Sequence, residues 1–300
     1  MPANVLDAAV HEALRRDPRA STESLAREAG TTAAHVRRVL TGLVAAGMEV
    51  RGIVHPSVFG HGALAHLRIQ VSGPSAPIAD TIAARTDIPY LTRTSGRFAL
   101  SAELRTGDRT ALRTALADIR SIPGVTRLVV DEYLDLVKDA GVRPRPLGSE
   151  SVDDIDLVIL RELQADGRAS FASLARAVSL TTTAARARVL RLLDAGIVTI
   201  GIRTRTRGTR VQHGFRARTD GSDATLEALQ GSGDVVYLAA AIGDADIVGT
   251  LESDGLGASA ETVERLRSTP GVLEVETWTH LDFVKERYAE APAPDAFPHP

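Results

Sequence analysis

The sequence has no cysteine, no long apolar run and little net charge. Without cysteine, disulfide bonds and thiolate metal sites are excluded. The apolar runs are short and interrupted by charged residues, so we expect no transmembrane segment. The first residues lack a basic start followed by an apolar stretch, which argues against a secretory signal. These absences suit a protein of the reducing cytoplasm, and we expect that location.

Charge is unevenly distributed along the chain. The formal net charge of -3 excludes a uniformly basic nucleic-acid-binding protein. Residues 214–300 nevertheless carry 6 basic and 16 acidic side chains, whereas the preceding segments are mildly positive. Segregated charge is typical of a chain in which one part meets phosphate and another does not, but ordinary solvated faces of different domains explain it equally well.

The main positive feature is an internal repeat of about 150 residues, far longer than a solenoid repeat. Residues 7–53 match residues 156–202 without a gap; Ser24-Leu25-Ala26-Arg27, for example, corresponds to Ser173-Leu174-Ala175-Arg176. Further matches join 120–125 to 267–272 and 134–138 to 281–285. The chain is therefore two copies of one unit, and whatever one unit does as a homodimer this chain can do within itself.

Each copy begins with three short helices. Apolar spacing, Ser or Thr caps and Gly stops predict helices over 6–16, 22–29 and 32–46, and again over 155–165, 171–178 and 182–195. The third helix of each triplet is basic, which describes a helix-turn-helix. An alternating segment, 200–210, adds arginines and is predicted to lie along a phosphate backbone. The alternative is a plain three-helix bundle with arginines on its solvated side.

The second part of each copy alternates between strands and helices. Strands are predicted over 63–71, 90–94, 98–104 and 125–137, and the order strand, helix, strand, strand, helix, strand matches a ferredoxin-like sandwich. The same elements recur at 213–219, 222–231, 235–242, 246–252, 258–268 and 272–285. The open face of each sheet needs cover, and we expect the two sandwiches to pack face to face.

The order and spacing of these helices, strands and motifs together resemble those of the Lrp/AsnC (feast/famine) transcriptional regulators. In the second copy, residues 155–168 look like the family's opening helix, Gly243-Asp244-Ala245-Asp246-Ile247 looks like its Gly-x-x-Asp hairpin, and Glu276-Thr277 follows Pro-Gly-Val. The resemblance covers nearly the whole chain. It implies an α+β fold with two winged-helix-like helix-turn-helix domains and two ferredoxin-like βαββαβ domains.

The resemblance also implies DNA binding by the third helices. Arg38 and Arg188 take the position of a characteristic recognition-helix arginine, and Arg191 matches another, whereas Arg37 and Arg186 qualify by charge alone. The predicted DNA-binding residues are Thr32, His35, Arg37, Arg38, Thr181, Thr183, Arg186, Arg188, Arg191, Arg203 and Arg205.

Amino acids or related small molecules are the effectors that the resemblance implies. The predicted effector-binding residues are Gly243, Asp244, Asp246 and Thr277. Asp246 has an alternative interpretation as a hairpin residue that bonds its own backbone. In the first copy the hairpin reads Gly96-Arg97-Phe98-Ala99, without the Asp. We expect the first sandwich to be a structural half or to prefer another ligand.

No catalytic residues, metal ligands or cofactor motif stand out, so the sequence predicts a protein that is not an enzyme. Siroheme decarboxylases share the architecture and are the enzymatic alternative; such an enzyme would need histidines and arginines in a cavity between the sheets. A ligand-sensing assembly protein without DNA binding is a third possibility.

The predicted organisation has six parts. They are a helix-turn-helix domain over 1–58, a ferredoxin-like domain over 59–142, a linker over 143–149, a second helix-turn-helix domain over 150–208, a second ferredoxin-like domain over 209–290 and a flexible tail over 291–300. The expected partners are double-stranded DNA, a small-molecule effector and at least one further copy of the chain, with no membrane. One chain is expected to act as a pseudo-dimer on an asymmetric version of a palindrome.

Overall fold

The computed structural model describes residues 3–139, 144, 148, 150–204 and 210–288. The chain forms two compact units. The helical unit comprises Met1–His55, Asp139–Gly208 and Glu290–Pro300, and the barrel unit comprises Pro56–Lys138 and Thr209–Ala289. Each unit therefore takes one half from each repeat. Among the described residues, no helix is long and apolar enough to cross a membrane.

The elements follow the repeat. In chain order they are α1 (Ala3–Arg16), α2 (Thr22–Glu28), α3 (Ala33–Ala45), β1 (Met48–Val54), β2 (Ala63–Val71), α4 (Ala76–Ala83), β3 (Tyr90–Thr94), β4 (Leu100–Thr106), α5 (Arg109–Ser121), β5 (Val125–Lys138), α6 (Asp154–Ala165), α7 (Phe171–Ala177), α8 (Thr182–Asp194), β6 (Val198–Thr204), β7 (Val211–Thr219), α9 (Asp223–Gly231), β8 (Val235–Ile242), β9 (Ile247–Ser253), α10 (Leu256–Arg267) and β10 (Val272–Glu286).

Side-chain caps begin the helices of both helix-turn-helix domains. Ser21 and Thr32 accept hydrogen bonds from the backbone N–H three residues later, at 3.0 and 3.2 Å. Ser170 and Thr181 do the same in the second copy, at 3.1 and 3.2 Å. Each cap satisfies one of the free N–H groups of a helix start. These four caps confirm the starts predicted from the sequence.

The two helix-turn-helix domains are joined by an antiparallel ladder between β1 and β6. Seven residues of each strand are in register, with Val50 opposite Ile202 and Gly52 opposite Ile200. Gly52 is needed there, because a Cβ would lie 3.0 Å from the carbonyl carbon of Leu163. The segment predicted to follow phosphate, 200–210, pairs with β1 through its described backbone, up to Thr204.

The barrel unit contains both ferredoxin-like domains. Their strands close into one barrel in the order β10-β3-β4-β2-β5-β8-β9-β7. Closure comes from the last strand of each copy, since β5 pairs with β8 and β10 pairs with β3. The predicted βαββαβ order is confirmed, but the sheets join through edge pairing as well as facing each other.

Alternation along the strands separates an apolar outer face from a polar inner one. Leu67 and Ile69 of β2 pack with Ile82 of α4 and Ile119 of α5 in a core between sheet and helices. Phe215, Leu229 and Leu266 belong to the equivalent core in the second copy. The intervening residues face the inside of the barrel. Several of these are buried and polar, among them His66, Arg68, Ser101, Glu103, Arg105 and Asp131.

Candidate nucleic-acid interface and ligand cleft

The third helix of each helix-turn-helix keeps one face exposed. On α8 this face carries Thr182, Thr183, Arg186 and Leu190. On α3 it carries Arg37, Arg38 and Thr41. Buried Val36 and Val39 hold α3 in place, as Ala185, Val189 and Leu192 hold α8. Both helices therefore offer polar side chains to a groove while their apolar sides fix their orientation.

Arg188 and Arg191 have structural partners. Nη1 of Arg188 donates to Asp153 and Asp156 at 2.8 and 2.9 Å, and Arg191 also donates to the Asp156 carboxylate. The side chain of Asp156 is 1% exposed. Burial opposes ionisation of Asp153, but the Asp156 backbone and Arg188 outweigh it and lower the pKa of Asp153. These arginines thus tie α8 to α6.

In the first copy, different side chains bind the third helix, α3, to the first helix, α1. Asp7, the repeat equivalent of Asp156, lies 2.9 Å from Nε2 of His35 and 3.4 Å from Nη2 of Arg38. Arg38 remains 63% exposed. In the gapless repeat Arg38 aligns with Ala187 and Arg188 with Val39, so the shared position that the resemblance implied for Arg38 and Arg188 is not kept.

Arg37 and Arg186 are the true equivalents in the repeat. Both are exposed, and within the described residues neither forms an ion pair. The guanidinium of Arg186 lies 5.7 Å from the centre of the Phe171 ring at the start of α7. Thr32 and Thr181 use their hydroxyls as helix caps, whereas Thr183 is exposed. The side chain of Arg203 and all of Arg205 lie outside the described residues.

Two arginines, one from each copy, donate hydrogen bonds to backbone carbonyls of the other copy, and we call this pair of contacts the arginine exchange. Arg168 donates to the carbonyls of Pro18 and Ala20 at 2.6 and 2.8 Å. In return, Arg19 donates to Ala169 at 2.8 Å and to Gly167. Sequence analysis missed this exchange, although the identity of the two arginines in the repeat was a signal.

The predicted effector residues have definite structural surroundings. Oδ2 of Asp246 accepts from the backbone N–H of Thr219 at 2.8 Å, so it bonds the end of β7 and not, as the alternative interpretation had it, the backbone of its own hairpin. A Cβ at Gly243 would lie 2.8 Å from the Val130 carbonyl oxygen and from Oδ1 of Asp131. The backbone N–H of Asp244 donates to the same Asp131 oxygen at 3.1 Å. The first copy's β5 therefore packs closely against this hairpin.

A small cleft of about 50 Å³ lies at the other hairpin, that of the first copy. We call it the hairpin cleft. It is lined by Arg68, Thr94, Ser95, Gly96, Arg97, Phe98, Leu100, Ser101, Glu276, Thr277 and Trp278. Of the predicted effector residues, Thr277 alone belongs to this lining. The cleft thus combines the hairpin of one copy with the last strand of the other.

Two arginines share one carboxylate beside the cleft. Glu276 accepts from Nη1 of Arg68 at 2.7 Å and from Nε of Arg216 at 2.8 Å. The side chain of Arg68 is 2% exposed, and its Nε has no hydrogen-bond partner among the described residues. Burial, followed by the charge of Arg216, lowers the pKa of Arg68. Nη1 of Arg216 also lies 3.4 Å from the Asp244 carboxylate and 4.0 Å from that of Asp131, so basic and acidic groups alternate here.

His66 and Trp278 lie next to these charged residues inside the barrel. His66 stacks on Trp278 with ring centres 5.4 Å apart, its Nε2 lies 2.8 Å from Oγ of Ser101, and its Nδ1 lies 4.0 Å from Asp131. Burial lowers the pKa of His66, which favours the neutral imidazole. Burial would raise the pKa of Asp131, but the neighbouring His66, Arg216 and Arg68 lower it.

Comparison with known proteins identifies the type of the second helix-turn-helix domain. Residues 152–193 match the family model of the AsnC-type helix-turn-helix domain. A 50-residue stretch is 46% identical to the HTH-type transcriptional regulator LrpA of Mycobacterium tuberculosis, covering 17% of this chain and 33% of that regulator. The chain thus spans about a third of the length of this relative. The structure of Escherichia coli AsnC matches 43% of this chain and 91% of its own, at 19% identity and a TM-score of 0.39.

A solved enzyme has the same fold over nearly the full length. The siroheme decarboxylase NirDL matches 95% of this chain and 94% of its own, with a TM-score of 0.62 and 14% identity. The expectation that the chain is not an enzyme is contradicted, because this duplicated fold also belongs to an enzyme. Residues 152–193 are thus an AsnC-type helix-turn-helix domain, within a duplicated fold of two helix-turn-helix and two ferredoxin-like domains.

Proposed function

We propose that the chain is a sequence-specific transcriptional regulator of the cytoplasm whose DNA binding is controlled by a small molecule. The observation that carries the proposal is the exposed face of α8, within the residues matched as an AsnC-type helix-turn-helix. Thr182, Thr183 and Arg186 offer hydrogen-bond donors there, of the kinds that reach phosphates and base edges in a major groove.

One chain acts as a pseudo-dimer in this proposal. The β1–β6 ladder and the exchange between Arg19 and Arg168 support it, because they join the two helix-turn-helix domains within one compact unit. The DNA site then consists of two half-sites, as for a dimeric regulator. Since α3 and α8 differ in sequence, the preferred site is an asymmetric version of a palindrome.

Arg37 and Arg186 are the main DNA-reading arginines. They are exposed and without an ion pair among the described residues, whereas Arg188 and Arg191 are held by Asp156. Arg38 is exposed enough to add a phosphate contact after leaving Asp7. This ranking differs from the ranking by resemblance, which favoured Arg38 and Arg188.

Fluorescence anisotropy of the purified chain on its own upstream DNA, compared with shuffled DNA over a salt series, tests the proposal. We expect tight binding to the upstream fragment that weakens steeply with salt. Arg186→Ala and Arg37→Ala each cost about 1–3 kcal/mol of binding free energy, because each removes a base or phosphate contact.

Arg113→Ala is the matched control, because Arg113 is an exposed arginine on α5 of the barrel unit. It should bind DNA as the parent chain does. Equal, weak binding to both DNAs, unchanged by Arg186→Ala, would refute DNA reading by α8. A palindrome preferred over every asymmetric site would refute the asymmetric arrangement.

A second candidate is an enzyme that acts on a tetrapyrrole. It is favoured by the full-length similarity to siroheme decarboxylase NirDL, which has also been solved with an iron-uroporphyrin III analogue. The barrel interior holds buried histidines, His66 and His280, and buried Arg68, which are groups suited to proton transfer and to binding carboxylates.

Absorbance titration with iron-uroporphyrin III tests this candidate, followed by mass spectrometry of the incubated tetrapyrrole. Binding and loss of carboxyl groups, both reduced in His66→Gln, would support the enzyme. An unchanged tetrapyrrole with unchanged absorbance would eliminate it.

A further inference from the structure

We propose that the two helix-turn-helix domains divide the recognition of one operator: α8 reads the base sequence, and α3 mainly holds the phosphate backbone. The inference rests on the proposed function and deepens it, because it assigns a different part to each third helix. It predicts an operator with one strictly specified half-site, bound by α8, and one tolerant half-site, bound by α3.

The exposed faces of α3 and α8 differ at three equivalent positions. Two positions hold alanine in the first copy and threonine in the second, and one holds arginine in the first copy and alanine in the second. In the gapless repeat these are the pairs Ala33 and Thr182, Ala34 and Thr183, and Arg38 and Ala187. Ala33 is half-buried, and the other five residues are exposed. Since Arg37 and Arg186 are equivalent and both exposed, the contrast between the helices depends on these three positions.

The first turn of α8 carries groups that can recognise a base edge. The hydroxyls of Thr182 and Thr183 make no hydrogen bond within the described residues, whereas that of Thr181 is used as the helix cap. A threonine hydroxyl both donates and accepts, and the first residues of a recognition helix are those that reach base edges. Arg186 lies one turn further along the same face. Thus α8 presents three side chains that can distinguish one base pair from another.

The first turn of α3 lacks such groups. Ala33 and Ala34 offer only methyl groups, which can touch a thymine methyl but form no hydrogen bond with a base. Thr32 caps the helix, and His35 is 16% exposed, with its Nε2 2.9 Å from Asp7. Both polar side chains of this turn therefore have partners in the protein, and α3 has little means of distinguishing base pairs.

Charge is what α3 offers instead. Arg37 and Arg38 are adjacent and exposed, and Nη2 of Arg38 lies 3.4 Å from Asp7, in a surface ion pair that is given up at little cost. On its exposed face α8 has one cation fewer, because Ala187 takes the place of Arg38. Contacts with phosphates position a protein on DNA without reading sequence. The exposed face of α3 therefore suits a phosphate anchor.

Selection from a random double-stranded DNA pool by the full chain, followed by sequencing, shows how strictly each half-site is specified. A wrong base pair should weaken binding about ten-fold or more in the strict half-site and less than about three-fold in the tolerant one. Two equally strict half-sites would overturn the division of recognition and leave the regulator standing. Binding without any selected sequence would refute the regulator, and this inference with it.

Two variants assign the half-sites to their helices. Thr182→Ala/Thr183→Ala gives α8 the alanines of α3 and should lower the ratio of specific to non-specific affinity about ten-fold, with an unchanged salt dependence. Arg38→Ala should leave this ratio unchanged and reduce the slope of log affinity against log salt by about one. Arg113→Ala is the control and should change neither quantity. Loss of specificity in Arg38→Ala, or unchanged specificity in the threonine variant, would overturn the assignment.

A converse variant provides a gain of binding, which a loss of folding cannot imitate. Ala33→Thr/Ala34→Thr/Arg38→Ala gives α3 the residues that α8 has at all three positions. Relative to the selected operator, it should bind an inverted repeat of the strict half-site about ten-fold more tightly than the parent chain does. No gain on the inverted repeat would overturn the inference.

Discussion

Arg19 and Arg168 occupy equivalent positions in the two repeats, and each donates to backbone carbonyls of the other copy. Arg19 reaches Gly167 and Ala169, and Arg168 reaches Pro18 and Ala20. A guanidinium carries its donors in a rigid fork, so that one side chain spans two carbonyls at once. The exchange therefore joins the two helix-turn-helix domains through backbone carbonyl oxygens.

Replacing one of these guanidiniums should destabilise the helical unit. We expect Arg168→Lys to lower the free energy of unfolding by about 1–3 kcal/mol, because an ammonium group cannot reproduce both bonds and leaves a carbonyl unpaired. Urea unfolding followed by circular dichroism measures this. Arg176→Lys, on the exposed side of α7, is the control and should be nearly neutral. Equal stabilities of the two variants would contradict the role of the exchange.

The two equivalent aspartates should differ in their importance. Asp156 is 1% exposed and binds two arginines, so Asp156→Asn should cost about 3 kcal/mol of stability. Asp7 is 41% exposed, and Asp7→Asn should cost less than about 1 kcal/mol. Thermal and urea unfolding of both variants give the comparison. A larger loss in Asp7→Asn would show that the Arg188 and Arg191 bonds do not stabilise the second domain.

Gly214 makes room for an aromatic side chain. A Cβ there would lie 2.1 Å from Nε1 of Trp278. Gly214→Ala should therefore displace the indole, shift the tryptophan emission and cost about 1–3 kcal/mol through overpacking. Gly231, at the end of α9, has no atom within 4 Å of its Cβ position, so Gly231→Ala should leave the emission unchanged. An unshifted emission in Gly214→Ala would contradict the packing described.

Stability should fall on mild acidification. Burial lowers the pKa of His66 and of His213 below the ordinary histidine value. In the unfolded chain these histidines bind protons near pH 6.5, whereas in the native chain they do so only at lower pH. Protons therefore bind the unfolded state preferentially, and the native state loses stability as the pH falls below about 6.5.

Urea unfolding above and below that pH, compared with a His66→Gln/His213→Gln variant, measures the effect. We expect the variant to lose less stability on acidification than the parent chain. The same loss in both proteins would assign the pH dependence to other groups.

Local signals were enough to predict most elements. The strand predicted over 235–242 has those bounds in the structure, and the helix predicted over 182–195 ends one residue earlier. Alternation, caps and glycine stops act within a few residues, so one sequence suffices to read them.

Contacts between residues far apart in the sequence could not be read in this way. The β1–β6 ladder, the closure of the barrel and the binding of Arg188 by Asp156 each join distant parts of the chain. The hairpin cleft was missed for the same reason, because its walls come from both copies. The resemblance directed attention to the Gly243 hairpin, where β5 packs closely.

The repeat has a consequence for how this chain could evolve. In a homodimer, a substitution appears at both symmetry-related positions, so a change that helps one site is imposed on the other. Covalent fusion removes that constraint and also makes the pairing of the halves independent of dilution. Where one copy has Asp131, the other has Trp278 at the equivalent position. A duplicated chain can therefore hold two different walls in one barrel, whereas a barrel made by two identical chains holds the same wall twice.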